Sequence, residues 1–153
     1  MNRHPEIASN PATTRELVAF HEQRARVYAS LAAALRERPC AAAVVRCHDA
    51  GAPSRLSSGV RGDTPAAEIL ALASLASRTA AALTAGDLPE AAALNELQVR
   101  FLDEHARACL ARLAGEIADS PDGLHASVGL RLRAILASDL RLLAGRADLA
   151  TGA

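Results

Sequence analysis

The sequence has very few large side chains. It contains no tryptophan and no lysine, and its only aromatic residues are Phe20, Tyr28 and Phe101. Strands favour aromatic and β-branched residues, whereas the Ala and Leu that dominate the apolar half of this chain are strong helix formers. The composition therefore predicts an all-α protein whose helices pack closely, with Ala as the spacer. With 153 residues, the chain is expected to form one domain.

Long apolar runs and paired cysteines are also missing. The sequence has no run of 18 consecutive apolar residues, which is the usual sign of a membrane-spanning helix. The first residues, MNRHPEIASNPATT, lack the apolar stretch of a secretory leader. Three cysteines are an odd number and too few for a disulfide framework. These absences favour a cytoplasmic protein without stable membrane insertion.

The charges balance, with 17 basic residues, all of them Arg, against 17 acidic ones. Residues 1–61 hold nine Arg and five acids, whereas residues 62–153 hold eight Arg and twelve acids. The Arg residues of the first helical stretch alternate with Glu16, Glu22 and Glu37, so we expect solvated faces with local ion pairs and no nucleic-acid partner.

Helical periodicity and chain breakers predict the elements. Pro5 and Pro11 oppose a helix, so residues 1–12 are expected to be a disordered lead-in, and the capping box Thr13-x-x-Glu16 predicts a first helix at about 14–38. Four further helices are predicted at 40–49, 65–85, 87–117 and 123–144. The third of these is long and is expected to bend near Leu102–Glu104. A loop is predicted at 51–65 and a frayed tail at 146–153. Together they predict a single bundle of five to six helices over residues 13–145. Its apolar stripes include Arg24, Thr79 and Asp139, and Phe101 is the expected anchor of the core.

Motifs of catalysis and of metal binding are weak. Cys47 and His48 are adjacent and would point about 100° apart on a helix, whereas His105 and Cys109 are one turn apart. C-x-x-C, H-E-x-x-H, the Gly-x-Ser-x-Gly elbow and glycine-rich phosphate loops are all absent from the sequence. We therefore expect no enzyme activity, no metal and no cofactor. A metal-binding enzyme that uses the Cys/His pairs is the least favoured of three hypotheses.

The stretch from Glu68 to Ala114 contains an ordered set of motifs. After Glu68 come Gly86-Asp87-x-x-Glu90-Ala91 and then Gln98-x-x-Phe101-Leu102-x-x-His105. This order resembles the TorD/DmsD family of chaperones that mature molybdenum-containing redox enzymes. The chain looks like a shortened and diverged member, because the middle segment is reduced to the loop at 51–65 and the family's His before Glu68 is absent. The resemblance implies a TorD-like bundle and a cytoplasmic chaperone that makes no covalent change.

The resemblance also implies a partner, which is the catalytic subunit of a molybdoenzyme or its twin-arginine leader. The segment 87–104 holds five acidic residues against Arg100 alone, which suits the basic start of such a leader, although a solvated helix face would look the same. The candidate peptide-binding residues are Asp63, Glu68, Asp87, Glu90, Gln98, Asp103, Glu104 and His105. The alternative is a helical protein–protein interaction or regulatory module without leader binding, as a monomer or a homodimer.

Overall fold

The computed structural model describes residues 11–37, 65–104 and 110–151, and within these ranges it contains five helices and no strand. The helices are α1 (Pro11–Glu37), α2 (Pro65–Ala85), α3 (Leu88–Phe101), α4 (Ala111–Ala118) and α5 (Gly123–Thr151). The all-α prediction is confirmed for this part of the chain. The lead-in before Pro11, the predicted helix at 40–49 and the loop up to residue 64 lie outside the described residues.

Two helix ends differ from the sequence-based prediction. Pro11 does not block α1 but begins it, because the first turn leaves its N–H groups unbonded and the fixed φ of proline suits a helix. The prediction that Thr13 caps α1 is therefore wrong, since Thr13 lies inside the first turn of the helix. At the other end, α5 does not stop at Gly145 but continues to Thr151. A glycine inside a helix costs only about 1 kcal/mol, which is too little to end a helix with favourable residues on both sides.

The α2–α3 turn was predicted correctly. Gly86 has a φ of +76°, the left-handed conformation that ends many helices. The N–H of Gly86 donates to Leu83 O at 3.2 Å and that of Asp87 to Ala82 O at 2.9 Å, which satisfies carbonyls at the end of α2. Asp87 then caps α3, because its Oδ1 accepts from the N–H of Glu90 at 3.1 Å. The tight turn folds α3 back along α2.

The main core forms where α1 and α2 meet α4 and α5. Phe101 and Leu102 are both buried in it, which confirms the expected role of Phe101. At this point α3 ends and Leu102–Glu104 change to π-helical hydrogen bonding, so the long predicted helix is interrupted where a bend was expected. The buried apolar residues of this core are Tyr28, Leu31, Ala32, Leu35, Ala66, Ile69, Leu72, Ala73, Phe101, Leu102, Leu110, Leu113, Ala114, Ile117, Val128, Leu132 and Leu136.

Helix α2 is the most apolar of the described helices. It alone among them is long and apolar enough to cross a membrane, but 56% of the relevant window is buried inside the protein, as in a core helix. Its second half packs with α3 and the start of α1 in a smaller cluster, in which Leu75, Leu83 and Leu94 are buried and Leu17 is half-buried. Leu83 of this cluster, and Val18 which packs against it, also line an open groove between α1 and the α2–α3 turn.

Helices α4 and α5 approach each other closely at Gly129. A Cβ atom added there would lie 2.4 Å from the backbone N of Ala118 and 2.7 Å from the carbonyl O of Ala114. Only a glycine allows this backbone approach. The buried stripe of α5 begins after its first turn, because Val128 and Leu132 are buried whereas Leu124 is 45% exposed.

Candidate functional site

An open groove lies between the first half of α1 and the α2–α3 turn. Its volume of about 660 Å³ is within the range of about 300–1,000 Å³ that is typical of ligand sites. Its walls are mainly apolar, and most of the polar groups lie on α1. The lining residues are Thr14, Arg15, Val18, Ala19, Glu22, Leu83, Thr84, Gly86 and Leu88.

Helical spacing explains the α1 wall of the groove. Arg15, Val18, Ala19 and Glu22 are separated by three or four residues, so they share one face of the helix. Ala19 is small and exposed, which leaves the middle of the wall shallow. On the opposite side, Leu88 is the first residue of α3 and is 47% exposed, because it follows directly on the turn.

Two of the predicted peptide-binding residues are close in sequence to a residue that lines the groove. Asp87 and Glu90 flank the groove residue Leu88 and are exposed. Glu90 also forms an ion pair with Arg78 at 3.2 Å, in which both side chains are about half exposed. Such surface pairs contribute about 1 kcal/mol at most, so Glu90 can exchange this partner for a cationic ligand at little cost.

Asp103 and Glu104 are also exposed, but they lie beyond the other end of α3. At 1.5 Å per residue, the sixteen residues from Asp87 to Asp103 correspond to about 24 Å. The structure therefore does not gather these four predicted residues at one point, and Glu96, the fifth acidic residue of the segment, is exposed between them in α3. The structure places two of the four at each end of α3, within the roughly 30 Å that a 20-residue helical ligand would span.

Of the other four predicted residues, the two that the structure describes are buried inside the bundle and do not lie at this surface. Glu68 is 7% exposed in α2, and Gln98 is completely buried in α3. Asp63 and His105 lie outside the described residues. Gln98 was predicted to contact a peptide at the surface, but its side chain lies in the interior of the bundle.

Gln98 belongs to a buried polar network that joins four helices. Arg24 of α1 donates through Nη1 to Gln98 Oε1 at 2.6 Å, and Gln98 Nε2 donates to Thr79 Oγ1 of α2 at 2.8 Å. The Thr79 hydroxyl donates to the carbonyl O of Leu75 at 2.8 Å. A buried amide with both ends bonded avoids a desolvation cost of about 1–3 kcal/mol per group, which explains why Gln98 is tolerated in the core.

Asp139 of α5 completes the network. Its Oδ2 accepts hydrogen bonds from Arg24 Nε and from the Tyr28 hydroxyl, both at 2.7 Å, and all three residues are at most 3% exposed. Arg24 Nη2 is also 2.7 Å from Asp139 Oδ2, but this is an ion-pair contact without the angle of a hydrogen bond. The guanidinium carbon lies 5.4 Å from the ring centre of Phe20 and 5.8 Å from that of Tyr28, as in cation–π contacts.

The network raises the pKa of Tyr28 and sets the hydrogen-bonding role of His21. Burial, and then the charge of Asp139, raise the pKa of Tyr28 far above its ordinary value of 10.0, and the nearby Arg24 opposes this only in part. His21 Nδ1 lies 3.2 Å from Arg24 Nη1. A guanidinium has only donors, so Nδ1 of His21 acts as the acceptor and carries no proton. The arrangement is that of a neutralised structural cluster, and none of its residues lines the groove.

The sequence contains a signal for this network. Arg24, Thr79 and Asp139 each occupy a position in an otherwise apolar helical stripe. A polar residue at such a position is either exposed by a local distortion or bonded inside the core. The five groove residues of α1 carry no such signal, because only the packing of α1 against the α2–α3 turn makes them a wall.

The described residues contain no group of three or more His, Cys, Asp or Glu side chains that could hold a metal ion. Both Cys/His pairs, at 47, 48, 105 and 109, lie outside the described residues. Comparison of the chain with known protein families, with curated proteins and with solved structures finds no significant match.

Proposed function

We propose that the protein is a chaperone of the TorD/DmsD type, which binds the twin-arginine leader or the unfolded apoenzyme of a molybdenum-containing oxidoreductase. The observation that carries the proposal is the open apolar groove at the α2–α3 turn, with acidic residues next to it. The proposal also draws on the order of motifs between Glu68 and His105, which resembles that family. Binding would need no covalent chemistry, and the proposal assigns no catalytic residue.

The groove matches the chemistry of such a leader. A twin-arginine leader begins with paired guanidinium groups and continues as an apolar, helix-prone stretch. Leu88, which is 47% exposed, and the half-buried Val18 offer apolar surface for that stretch, in the manner of a helix in a groove. Glu22 on the α1 wall and Asp87 at the turn offer carboxylates for the guanidiniums, which form charge-assisted and often bidentate contacts.

Apolar burial and charge are expected to play different parts. Complete burial of a leucine contributes about 1.5–3 kcal/mol, so contacts with Leu88 and its neighbours should provide most of the affinity. Exposed carboxylates steer a cationic peptide and orient it, but salt screens them. Affinity should therefore weaken as salt is added without disappearing.

A helical interaction module without leader binding is the second candidate. One observation favours it: Gln98, a central residue of the motif that carries the resemblance, is completely buried and bonded to Arg24 and Thr79. A core role explains this residue without any client. The same groove would then bind an amphipathic helix of a regulatory partner, and paired arginines would contribute nothing to its recognition.

Peptide titration separates the two candidates. Labelled leader peptides of molybdenum-containing oxidoreductases would be titrated with the full chain and followed by fluorescence anisotropy at low and high salt. Matched peptides would carry Lys in place of the two Arg, or Ser in place of the apolar residues. The chaperone proposal expects weaker binding for both changes. Equal binding of the Arg and Lys peptides supports the interaction module, and no binding of any leader contradicts the chaperone proposal.

Matched leucine variants locate the binding surface. Leu88→Gln removes an exposed leucine from the groove, whereas Leu130→Gln removes one that is 56% exposed on α5. We expect Leu88→Gln to weaken leader binding about tenfold, equivalent to about 1.4 kcal/mol, and Leu130→Gln to leave it unchanged. Equal effects of the two substitutions would show that the groove is not the binding surface.

Charge reversal tests the distant end of α3. Asp103→Arg combined with Glu104→Arg should reduce both the affinity for leader peptides and its dependence on salt, provided that circular dichroism shows an intact fold. If the leader contacts only the groove, this double variant will bind like the wild type. That result would remove Asp103 and Glu104 from the binding surface and leave the acidic residues at the turn.

A further inference from the structure

The groove face of α1 is complementary to itself. Arg15 and Glu22 are seven residues apart, so they lie on nearly the same line of the helix, about 10.5 Å from each other. Their midpoint falls between Val18 and Ala19, the apolar centre of the wall. We propose that a second copy of this chain packs on the groove, with the two α1 helices antiparallel about a two-fold axis at Val18 and Ala19.

The charges give this arrangement its specificity. In an antiparallel pair about that axis, Arg15 of each copy faces Glu22 of the other, so that one helix face supplies two ion pairs. Both side chains are exposed, and neither has an ion-pair partner elsewhere in the described part of the chain. A parallel arrangement would instead place like charges opposite each other, so the pattern also selects the orientation.

The centre of the same face suits a close helix contact. Ala19 is exposed and has the smallest side chain that a helix prefers, so a second helix can approach it closely. Leu88, which is 47% exposed, stands at the opposite wall and can be covered by the second copy. Burial of this apolar surface would contribute most of the dimer's stability, and the ion pairs would set its register.

The dimer covers the groove that the proposed function assigns to the client. If that function is correct, the second copy and the client compete, and the free protein would protect its apolar groove by self-association until a client displaces the partner. This competition rests on the proposed function. The dimer itself does not, because it follows from the charges on α1 and the apolar residues of the groove, whatever else the groove binds.

Charge swapping provides the test, and it uses no peptide. Sedimentation velocity of the full chain at low salt, up to about 1 mM protein, would measure the dimer dissociation constant of the wild type, Arg15→Glu, Glu22→Arg and the combined swap. Each single variant turns two attractions into two repulsions, so its dissociation constant should rise at least about tenfold. The combined swap restores opposite charges across the axis and should return the constant to within about threefold of the wild type.

The control is Arg131→Glu, which changes the net charge by the same amount as Arg15→Glu but on the exposed surface of α5. It should dimerise like the wild type, and circular dichroism should show native helix content for all variants. A monomeric wild type at every concentration would overturn the proposal. It would equally be overturned if the single variants dimerised normally, if the combined swap failed to recover, or if Arg131→Glu weakened the dimer as much as Arg15→Glu.

Discussion

Replacement of Asp139 by asparagine should destabilise the protein strongly while preserving the shape of its core. The substitution keeps an oxygen that can accept from the Tyr28 hydroxyl, so the neutral hydrogen bond can survive. It removes the carboxylate that lies 2.7 Å from Arg24 Nε and Nη2, at a site where Arg24 is only 3% exposed. The guanidinium would then be a buried cation without a counter-ion.

The structure indicates the size of this effect. Removal of one member of a buried ion pair costs about 3–5 kcal/mol, because the remaining charge stays desolvated. A domain of this size has a total stability of about 5–15 kcal/mol, so Asp139→Asn should lose a large share of it. By contrast, the combined variant Arg24→Met/Asp139→Asn buries no charge at all. It should cost less than the sum of the two single variants by about 1–3 kcal/mol.

Urea unfolding followed by circular dichroism at 222 nm measures these differences. The midpoints should move while the slopes with urea stay the same, which shows that only the folded-state interactions changed. An Asp139→Asn variant within about 1 kcal/mol of the wild type would refute the reasoning, because it would mean that water reaches Arg24. Strictly additive single and combined variants would also refute it, since independent residues have no coupling energy.

Three further predictions concern the core and its titration. Phe101→Ala should cost about 3–5 kcal/mol in unfolding experiments, because Phe101 is only 7% exposed, and a melting temperature close to that of the wild type would contradict its role in the core. Gly129→Ala should destabilise by about 1–3 kcal/mol because its Cβ would meet the backbone of Ala118, whereas the control Gly115→Ala, which meets only a movable arginine end, should be tolerated. Stability should fall as the pH rises above about 10, by about 1.4 kcal/mol per pH unit, since the unfolded state releases the Tyr28 proton while the raised pKa keeps it in the folded state. Tyr28 is the only tyrosine, so absorbance at 295 nm should show tyrosinate only when the protein unfolds, and ionisation in the folded state would contradict the buried network.

Local signals explain which parts of the fold could be predicted. The α2–α3 turn needs a residue with positive φ followed by a capping side chain, and Gly86-Asp87 supplies both within two positions. The helix ends predicted from Pro11 and Gly145 were wrong, because proline and glycine do not always end a helix. Proline also begins helices, and a single glycine is tolerated inside a long one.

The rest depends on contacts between distant parts of the chain. Arg24 and Asp139 are 115 residues apart, and no spacing rule pairs them, although each could be recognised as a polar residue in an apolar stripe. The groove has the same origin, since Val18 and Leu88 become neighbours of one cavity only when α1 packs beside the turn. The acidic segment was visible in the sequence, but the spread of its exposed carboxylates along the whole of α3, with Glu96 between the two ends, follows from the length of that helix.

Chemical-shift mapping with a leader peptide tests the central claim most directly. Isotopically labelled protein would be titrated with a twin-arginine leader of a molybdenum-containing oxidoreductase, and the backbone amides would be followed by nuclear magnetic resonance. The account predicts the largest shifts around Val18, Ala19, Leu83 and Leu88, with little change near the close helix contact at Gly129. Saturating binding with shifts elsewhere, or no shifts at any peptide concentration, would contradict the claim that this groove receives the client.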